Sequence, residues 1–302
     1  MKTIIVTGAT GFIGLEVVKT LVNNNYFVIA LTRDCSDILK LRLFKNVSIV
    51  NIDYNLIEDI FRDYTVEGII HLATYYKAKH EQKDIDAIIQ SNVIFPTELL
   101  NMAIKYDIKW FINTGSGSEY KNNSQMLNEK TEICPKSLYA HSKVTFDLYA
   151  KFILFSTPIS YINMIIFTPY GVGDKSEKLI PSIINSYLNN VTMHISNQDK
   201  KLNFTYVTDI AESYLKALQF IEKNSTRIVE RFNIGSYETY SIRSAVTLIK
   251  DITKLSSNVS YINTNFHTEN YIPNNSKITS LLEWKPVVNF TEGLKKVLNY
   301  EK

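Results

Sequence analysis

The chain has 302 residues, of which 45% are hydrophobic and 21% charged; this suits a buried core and excludes a disordered or low-complexity chain. A formal net charge of +3, with the basic residues scattered, argues against nucleic acid or a membrane surface as partner. The length fits one large domain or two of ordinary size.

The first two-thirds alternates short apolar runs with amphipathic segments, the βαβ pattern of a parallel sheet. Strands are predicted over Thr3–Val6, Phe27–Leu31, Val47–Ile52, Gly68–Leu72, Trp110–Asn113 and Ser160–Ile166. Helices are predicted over Ile13–Asn23, with Ile13, Val17, Val18 and Leu21 on one face, over Asn92–Lys105 and over Leu138–Phe155. From Tyr170 the rhythm changes. A helix near Ile180–Leu188, a strand near Thr192–Ser196, a helix capped by Asp209 and running through Leu218, and a helix start at Ser241 follow. The expected fold is α/β: a Rossmann doubly wound parallel sheet over residues 1–168 with about 204–236. A smaller α+β substrate unit takes 169–203 and 237–302.

Cys35 and Cys134 stand far apart, so they offer no disulfide framework and no metal-ligand spacing, and no metal is expected. The apolar segment after Lys2 is too short for a signal-peptide core, and no run reaches membrane-spanning length. The Asn-x-Ser/Thr triplets at Asn46, Asn190 and Asn258 read as coincidence, and a cytoplasmic protein is expected.

Strand Thr3–Val6 runs into Thr7-Gly8-Ala9-Thr10-Gly11-Phe12-Ile13-Gly14 and then a helix. Gly8 permits a tight turn, Gly11 lets the backbone approach a pyrophosphate, and Gly14 lets helix and strand pack closely. The helix N-terminus then presents free amides to the phosphates. A plain strand–helix turn is the alternative, but the strand–turn–helix context favours a dinucleotide cradle of Gly8, Thr10, Gly11, Phe12, Ile13 and Gly14. After the second strand stand Thr32 and Arg33, where an NAD site needs an acid for the ribose hydroxyl and an NADP site an arginine for the 2′-phosphate. Arg33 therefore favours NADPH, while Asp34, one place late, leaves NADH open. Asp53 is either an adenine contact or a simple turn residue.

Tyr139 and Lys143 are four apart on a predicted helix and share a face. The Lys143 ammonium is expected to favour the Tyr139 phenolate and lower its pKa. Ser116, just beyond strand Trp110–Asn113, is expected at the carboxyl end of the sheet, where ligands bind, and beside Tyr139.

These segments make the chain resemble the extended short-chain dehydrogenases of the NAD-dependent epimerase/dehydratase type. The resemblance is carried by Thr7–Gly14, His71-Leu72-Ala73, Ser116 four before Tyr120, Tyr139-Ala-His-Ser-Lys143 and Tyr170-Gly171-Val-Gly173. Phe204–Asp209 and Leu282–Pro286 carry it in the later part. It implies a cofactor held also by Leu72, Ala73, Thr74, Thr114, Tyr139 and Lys143, and a nucleotide-diphosphate sugar held by the second unit. Within the family the chain is most similar to the CDP-abequose and CDP-paratose synthases, through Ile69–Thr74, Ser91–Pro96, Leu100–Tyr106 and Lys178–Ile184. Three positions depart from the family pattern: Ile165 replaces an arginine, Thr168 an asparagine, and Leu202-Asn203 an Arg-Asp pair. Lys178 and Lys201 are the expected substrate contacts; Lys200, His194 and His267 are further polar candidates, better read as exposed polar residues.

Four reactions share such a scaffold. Gly117-Ser118 after Ser116 supplies neither the acid pair of a 4,6-dehydratase nor the cysteine of a 3,5-epimerase/reductase. A 4-epimerase and a 4-ketoreductase remain, and Arg33 tilts toward the reductase. In that reading Ser116 orients the carbonyl, Tyr139 gives the proton and Lys143 holds the ribose. A non-catalytic NADP-binding protein would not need these three residues. Surplus apolar residues on the helices Asn92–Lys105 and Leu138–Phe155 predict a homodimer.

Overall fold

The computed structural model describes residues 1–53, 56–121, 126–256, 259–262 and 270–301. Seven strands form one sheet: β1 (Lys2–Thr7), β2 (Tyr26–Thr32), β3 (Val47–Asn51), β4 (Val66–His71), β5 (Trp110–Ser116), β6 (Ser160–Ile166) and β7 (Val229–Ile234). Their order is β7-β6-β5-β4-β1-β2-β3 and every pairing is parallel. The chain is a Rossmann-like α/β protein.

The strands read as continuous apolar runs because both faces of the sheet are covered. Ile4, Val6, Val28, Ala30, Ile70 and Ile112 face one layer, formed by α1 (Phe12–Asn23) and α7 (Val207–Lys223). Their neighbours Ile5, Ile29, Ile69 and Phe111 face the other, formed by α4 (Phe95–Lys105) and α5 (Leu138–Leu154). Each such burial contributes about 1.5–3 kcal/mol before the entropy of ordering is charged against it.

Elements hidden in the sequence include α2 (Ile57–Asp63) and the edge strand β7. The helix expected from Asn92 has an earlier start. Helical backbone begins at α3 (Ile85–Ile89), passes through a π-helical segment over Gln90–Ile94 and continues as α4. π-Turns of this kind concentrate near functional sites.

The second core gathers α6 (Leu179–Leu188), α8 (Ile242–Thr253) and α10 (Phe290–Glu301) around Tyr170, Ile183, Phe204, Ile249 and Phe290. The two-residue strands Pro169–Tyr170 and Thr205–Tyr206 pair at its base. Ser241 caps α8 as expected, its hydroxyl accepting from the Ser244 amide at 3.0 Å. Asp209 does not cap α7; Tyr206 holds that position. The Asp209 carboxylate instead lies in the first turn and accepts from the amides of Val287 (3.1 Å) and Val288 (3.0 Å), while Trp284 Nε1 donates to Asp209 O at 2.9 Å. Through this clasp α9 (Ser276–Leu282) and Trp284, expected in the substrate unit, pack into the core beside α7 and β7. Among the described residues no helix is long and apolar enough to cross a membrane.

Candidate active site

The site forms where the strand order reverses, between the carboxyl ends of β1 and β4, the place where doubly wound sheets open a crevice. Gly8 has φ +66°, and a Cβ there would lie 2.7 Å from the Ala73 amide nitrogen. At Gly14 a Cβ would fall 2.0 Å from Gly8 O, so the helix could not approach its own turn. At Gly11 it would meet only Gly8 O, at 3.1 Å, so the turn is open on that side. No described side chain caps α1. A cavity of about 150 Å³ lies against this helix end, lined by Thr10, Gly11, Phe12, Lys40 and Gly173 among others. Tight turn, uncapped amides and adjoining cavity fit the diphosphate of a dinucleotide. Phe12 and Ile13 turn their side chains toward the second core.

Hydroxyls hold the turn to the neighbouring strand end. Thr7 Oγ1 accepts from the amides of Leu72 and Ala73, both at 3.1 Å, and meets His71 Nδ1 at 2.8 Å. Burial, with Lys143 nearby, holds His71 well below its ordinary pKa. Thr114 Oγ1 lies 2.7 Å from both His71 O and Tyr214 Oη.

Ser116 ends β5, and its hydroxyl lies 2.8 Å from Ser118 Oγ. Ser137 caps α5 by accepting from the Ala140 amide at 3.1 Å, which sets Tyr139 and Lys143 in the first two turns. The hydroxyls of Ser116 and Thr74 act on the Tyr139 phenol and favour its ionised form. Burial, then the Glu119 carboxylate, raises that phenol above its ordinary pKa, against the lowering expected from Lys143. Burial brings the Lys143 ammonium down to about 8, opposed only by Glu119. Tyr76 packs edge-on against Tyr139 with ring centroids 4.8 Å apart, and Lys178 Nζ lies 3.5 Å from the Tyr76 centroid.

Besides Tyr76, Asn92 and Glu119 belong to this cluster and were not singled out in the sequence. Asn92, in the π-helical segment, is buried and ties the β4 loop to α5. Its Oδ1 accepts from Thr74 Oγ1 (3.1 Å) and the Tyr75 amide (2.8 Å), and its Nδ2 donates to Tyr75 O and Ser142 Oγ, both at 3.0 Å. Glu119 is fully buried and accepts from the Ser116 amide at 2.7 Å. A carboxyl group therefore stands beside the site, where Gly117-Ser118 had suggested none.

Other expected contacts lie apart from this cluster. Arg33 is exposed beyond β2, and the Asp53 carboxylate accepts from the Asp34 amide at 2.7 Å. Lys201 is exposed in a short strand, with its amide donating to Asn270 Oδ1 at 2.8 Å. Lys200 Nζ lies 5.4 Å from the Tyr271 ring centroid, and the exposed His194 meets Ser260 Oγ at 2.6 Å. Ile165 is fully buried, and Asn203 braces the backbone of Ser236 and Glu238. His267 lies outside the described residues.

The family model for the NAD dependent epimerase/dehydratase family matches residues 4–235. The chain belongs to that family. Among its relatives in the epimerase/dehydratase family is the CDP-abequose synthase of Salmonella muenchen, 27% identical, with 99% of this chain and 97% of that protein covered. A putative UDP-glucose 4-epimerase of Methanocaldococcus jannaschii is 30% identical over 99% of this chain and 98% of that protein. Among solved structures, the UDP-glucose 4-epimerase of Thermotoga maritima with UDP-glucose matches with a TM-score of 0.88 and 25% identity, covering 99% and 98% of the two chains. As a member of the epimerase/dehydratase family, the protein is an NAD(P)-dependent enzyme.

Proposed function

We propose that the protein is an NADPH-dependent 4-ketoreductase of a nucleotide-linked 4-keto-6-deoxy or 3,6-dideoxy hexose, CDP- or dTDP-linked, in deoxysugar and O-antigen assembly. The carrying observation is the buried, protonated Tyr139 phenol within the influence of Ser116 at the carboxyl end of the sheet. The turn around Gly8, Gly11 and Gly14, with Thr10, Phe12 and Ile13, would hold the dinucleotide together with Leu72, Ala73, Thr74, Thr114 and Lys143. Arg33 would meet a 2′-phosphate. When bound, the reduced nicotinamide supplies the hydride.

The protein's own part is proton and charge control. Ser116 donates to the substrate carbonyl oxygen and orients it, and Tyr139 delivers a proton to the oxygen at C4 as negative charge develops there. The Lys143 ammonium stabilises the phenolate left behind. Glu119 is no second acid, because one of its oxygens accepts from Ser116 N and the other from Arg231. Elimination at C6 and proton exchange at C3 or C5 thus lack a free acid or base. Lys178 and Lys201 are the proposed partners of the nucleotide diphosphate, from the unit formed by 169–203 and 237–302.

The similarity to proteins named UDP-sugar 4-epimerases favours a second reading, a 4-epimerase that keeps its NAD. Incubation of CDP- and dTDP-linked 4-keto sugars with NADPH in deuterated water separates the two. One C4 epimer, one NADPH consumed per product and no deuterium on carbon are expected. Deuterium at C3 or C5, or turnover of a 4-hydroxy sugar without reductant, would overturn the reductase.

We also propose a cytoplasmic homodimer. Leu148 (61% exposed), Phe152 (76%) and Phe155 (80%) make an outward apolar stripe along α5 and its C-cap, at the helical spacing of one face. A second copy presenting the same stripe would cover it symmetrically.

A further inference from the structure

Glu119 is fully buried, yet nothing in the proposed reaction uses it. It sits two residues past Gly117, at the end of a short 3₁₀ turn capped by Ser116. Its side chain folds back beneath the strand end: a Cβ added at Gly115 would lie 2.7 Å from Glu119 Oε1. That oxygen accepts from the Ser116 amide at 2.7 Å, which fixes the backbone from which the Ser116 hydroxyl projects. The other oxygen accepts from Arg231 Nη2 on β7 at 3.1 Å, and the same nitrogen donates to Asp147 Oδ2 on α5 at 2.8 Å. Asp147 is one helical turn beyond Lys143, on the same face. It also accepts from Tyr161 Oη at 3.0 Å and Lys151 Nζ at 2.8 Å, so its charge is already shared.

The groups acting on Glu119 are Arg231 and Lys143, which favour its charge, and Asp147, which opposes it; it in turn acts on the Tyr139 and Tyr120 phenols. Lys143 is equally buried and has no partner among the ion pairs of the described residues. Desolvation disfavours its charged form, and a nearby anion favours it.

We propose that Glu119 is a positioning residue: it locks Ser116 through its backbone amide and supplies the buried negative charge that keeps the proton on Lys143. This rests on the reading of Ser116, Tyr139 and Lys143 as the catalytic group. Arg231 favours the ionised form of Glu119. Burial still outweighs it and leaves the carboxyl at about 7, so its charge is lost just below neutrality and Lys143 loses its support there.

The test reads Lys143 without any turnover. Protein carrying ε-13C-lysine is titrated by NMR, and the Lys143 signal is assigned by its absence from Lys143→Met. In the native protein this signal should show its own midpoint near 8 and a smaller inflection near 7, where Glu119 protonates. Glu119→Gln keeps an acceptor for the Ser116 amide but removes the charge. It should lower the Lys143 midpoint by about one pH unit or more and abolish the smaller inflection. At pH 8 kcat should then fall about fivefold, in proportion to protonated Lys143. An unshifted Lys143 midpoint in folded Glu119→Gln overturns the proposal. So does a single inflection in the native protein, which needs no variant to fold. A shifted midpoint in a protein that reduces no 4-keto sugar would support the role of Glu119 while removing the assigned reaction.

Discussion

Replacing Asn92 with alanine should cost about 3 kcal/mol of folding stability and lower kcat about tenfold. The stability figure follows from four hydrogen bonds, to Thr74 Oγ1, Tyr75 N, Tyr75 O and Ser142 Oγ, all made by a side chain whose residue is 1% exposed. Each contributes about 0.5–1.5 kcal/mol net, and water entering the vacated space would recover part of the sum. The kinetic effect follows from connectivity. Ser142 Oγ donates to Tyr139 O at 2.7 Å, so Asn92 fixes both the loop carrying Thr74 and the helical turn carrying Tyr139. Aspartate is the discriminating variant. It is nearly the same shape, but it turns a lone pair toward Tyr75 O and toward a Ser142 oxygen whose proton is already given to Tyr139. Aspartate should therefore be at least as damaging as alanine. Guanidinium unfolding monitored by fluorescence gives the first number and steady-state rates the second. A loss below about 0.5 kcal/mol with unchanged kcat, or an aspartate variant close to native, would refute the hydrogen-bond account.

Tyr139→Phe should retain the fold and bind NADPH while kcat falls about 10²–10⁴-fold; near-native turnover would remove the phenol from the mechanism. NADPH should be preferred to NADH, and Arg33→Ala should erase the preference by raising KM for NADPH alone; equal kcat/KM values in the native enzyme would count against Arg33. Phe152→Glu should convert a dimer into a monomer of unchanged fold, read by light scattering at micromolar concentration. A monomeric native protein would refute the stripe as an interface.

The central strands were legible because burial on both faces writes them as unbroken apolar runs; Ser160–Ile166 was read to the residue. The same rule hid β7. Its sequence, Val-Glu-Arg-Phe-Asn-Ile, carries Arg231 and Asn233 inward, where Arg231 meets Glu119 and Asp147 and Asn233 accepts from Tyr120 Oη at 2.7 Å. Polar residues satisfied by distant partners look like a surface segment until the partners are known. Glu119 was missed for the same reason, since Arg231 lies 112 residues away. Asn92 left a faint signal, a buried amide at the head of an apolar helix. Asp209 misled because acids before helices usually cap; this one serves a chain segment almost 80 residues later.

That clasp also sets when the protein can fold during synthesis. The layer containing Ile4 and Val6 is completed by Phe232, Ile278, Leu282 and Trp284, so β1 waits for a segment made much later. A chain cut after residue 236 would keep every strand of the seven-stranded sheet but lose Trp284 from the core beside α7, and the amides that hydrogen-bond the buried Asp209. The two halves are therefore not separable modules. The ribosome must release α9 and Trp284 before the layer over β1 can close, and a nonsense mutation ahead of Trp284 should disable the glycine turn that follows β1.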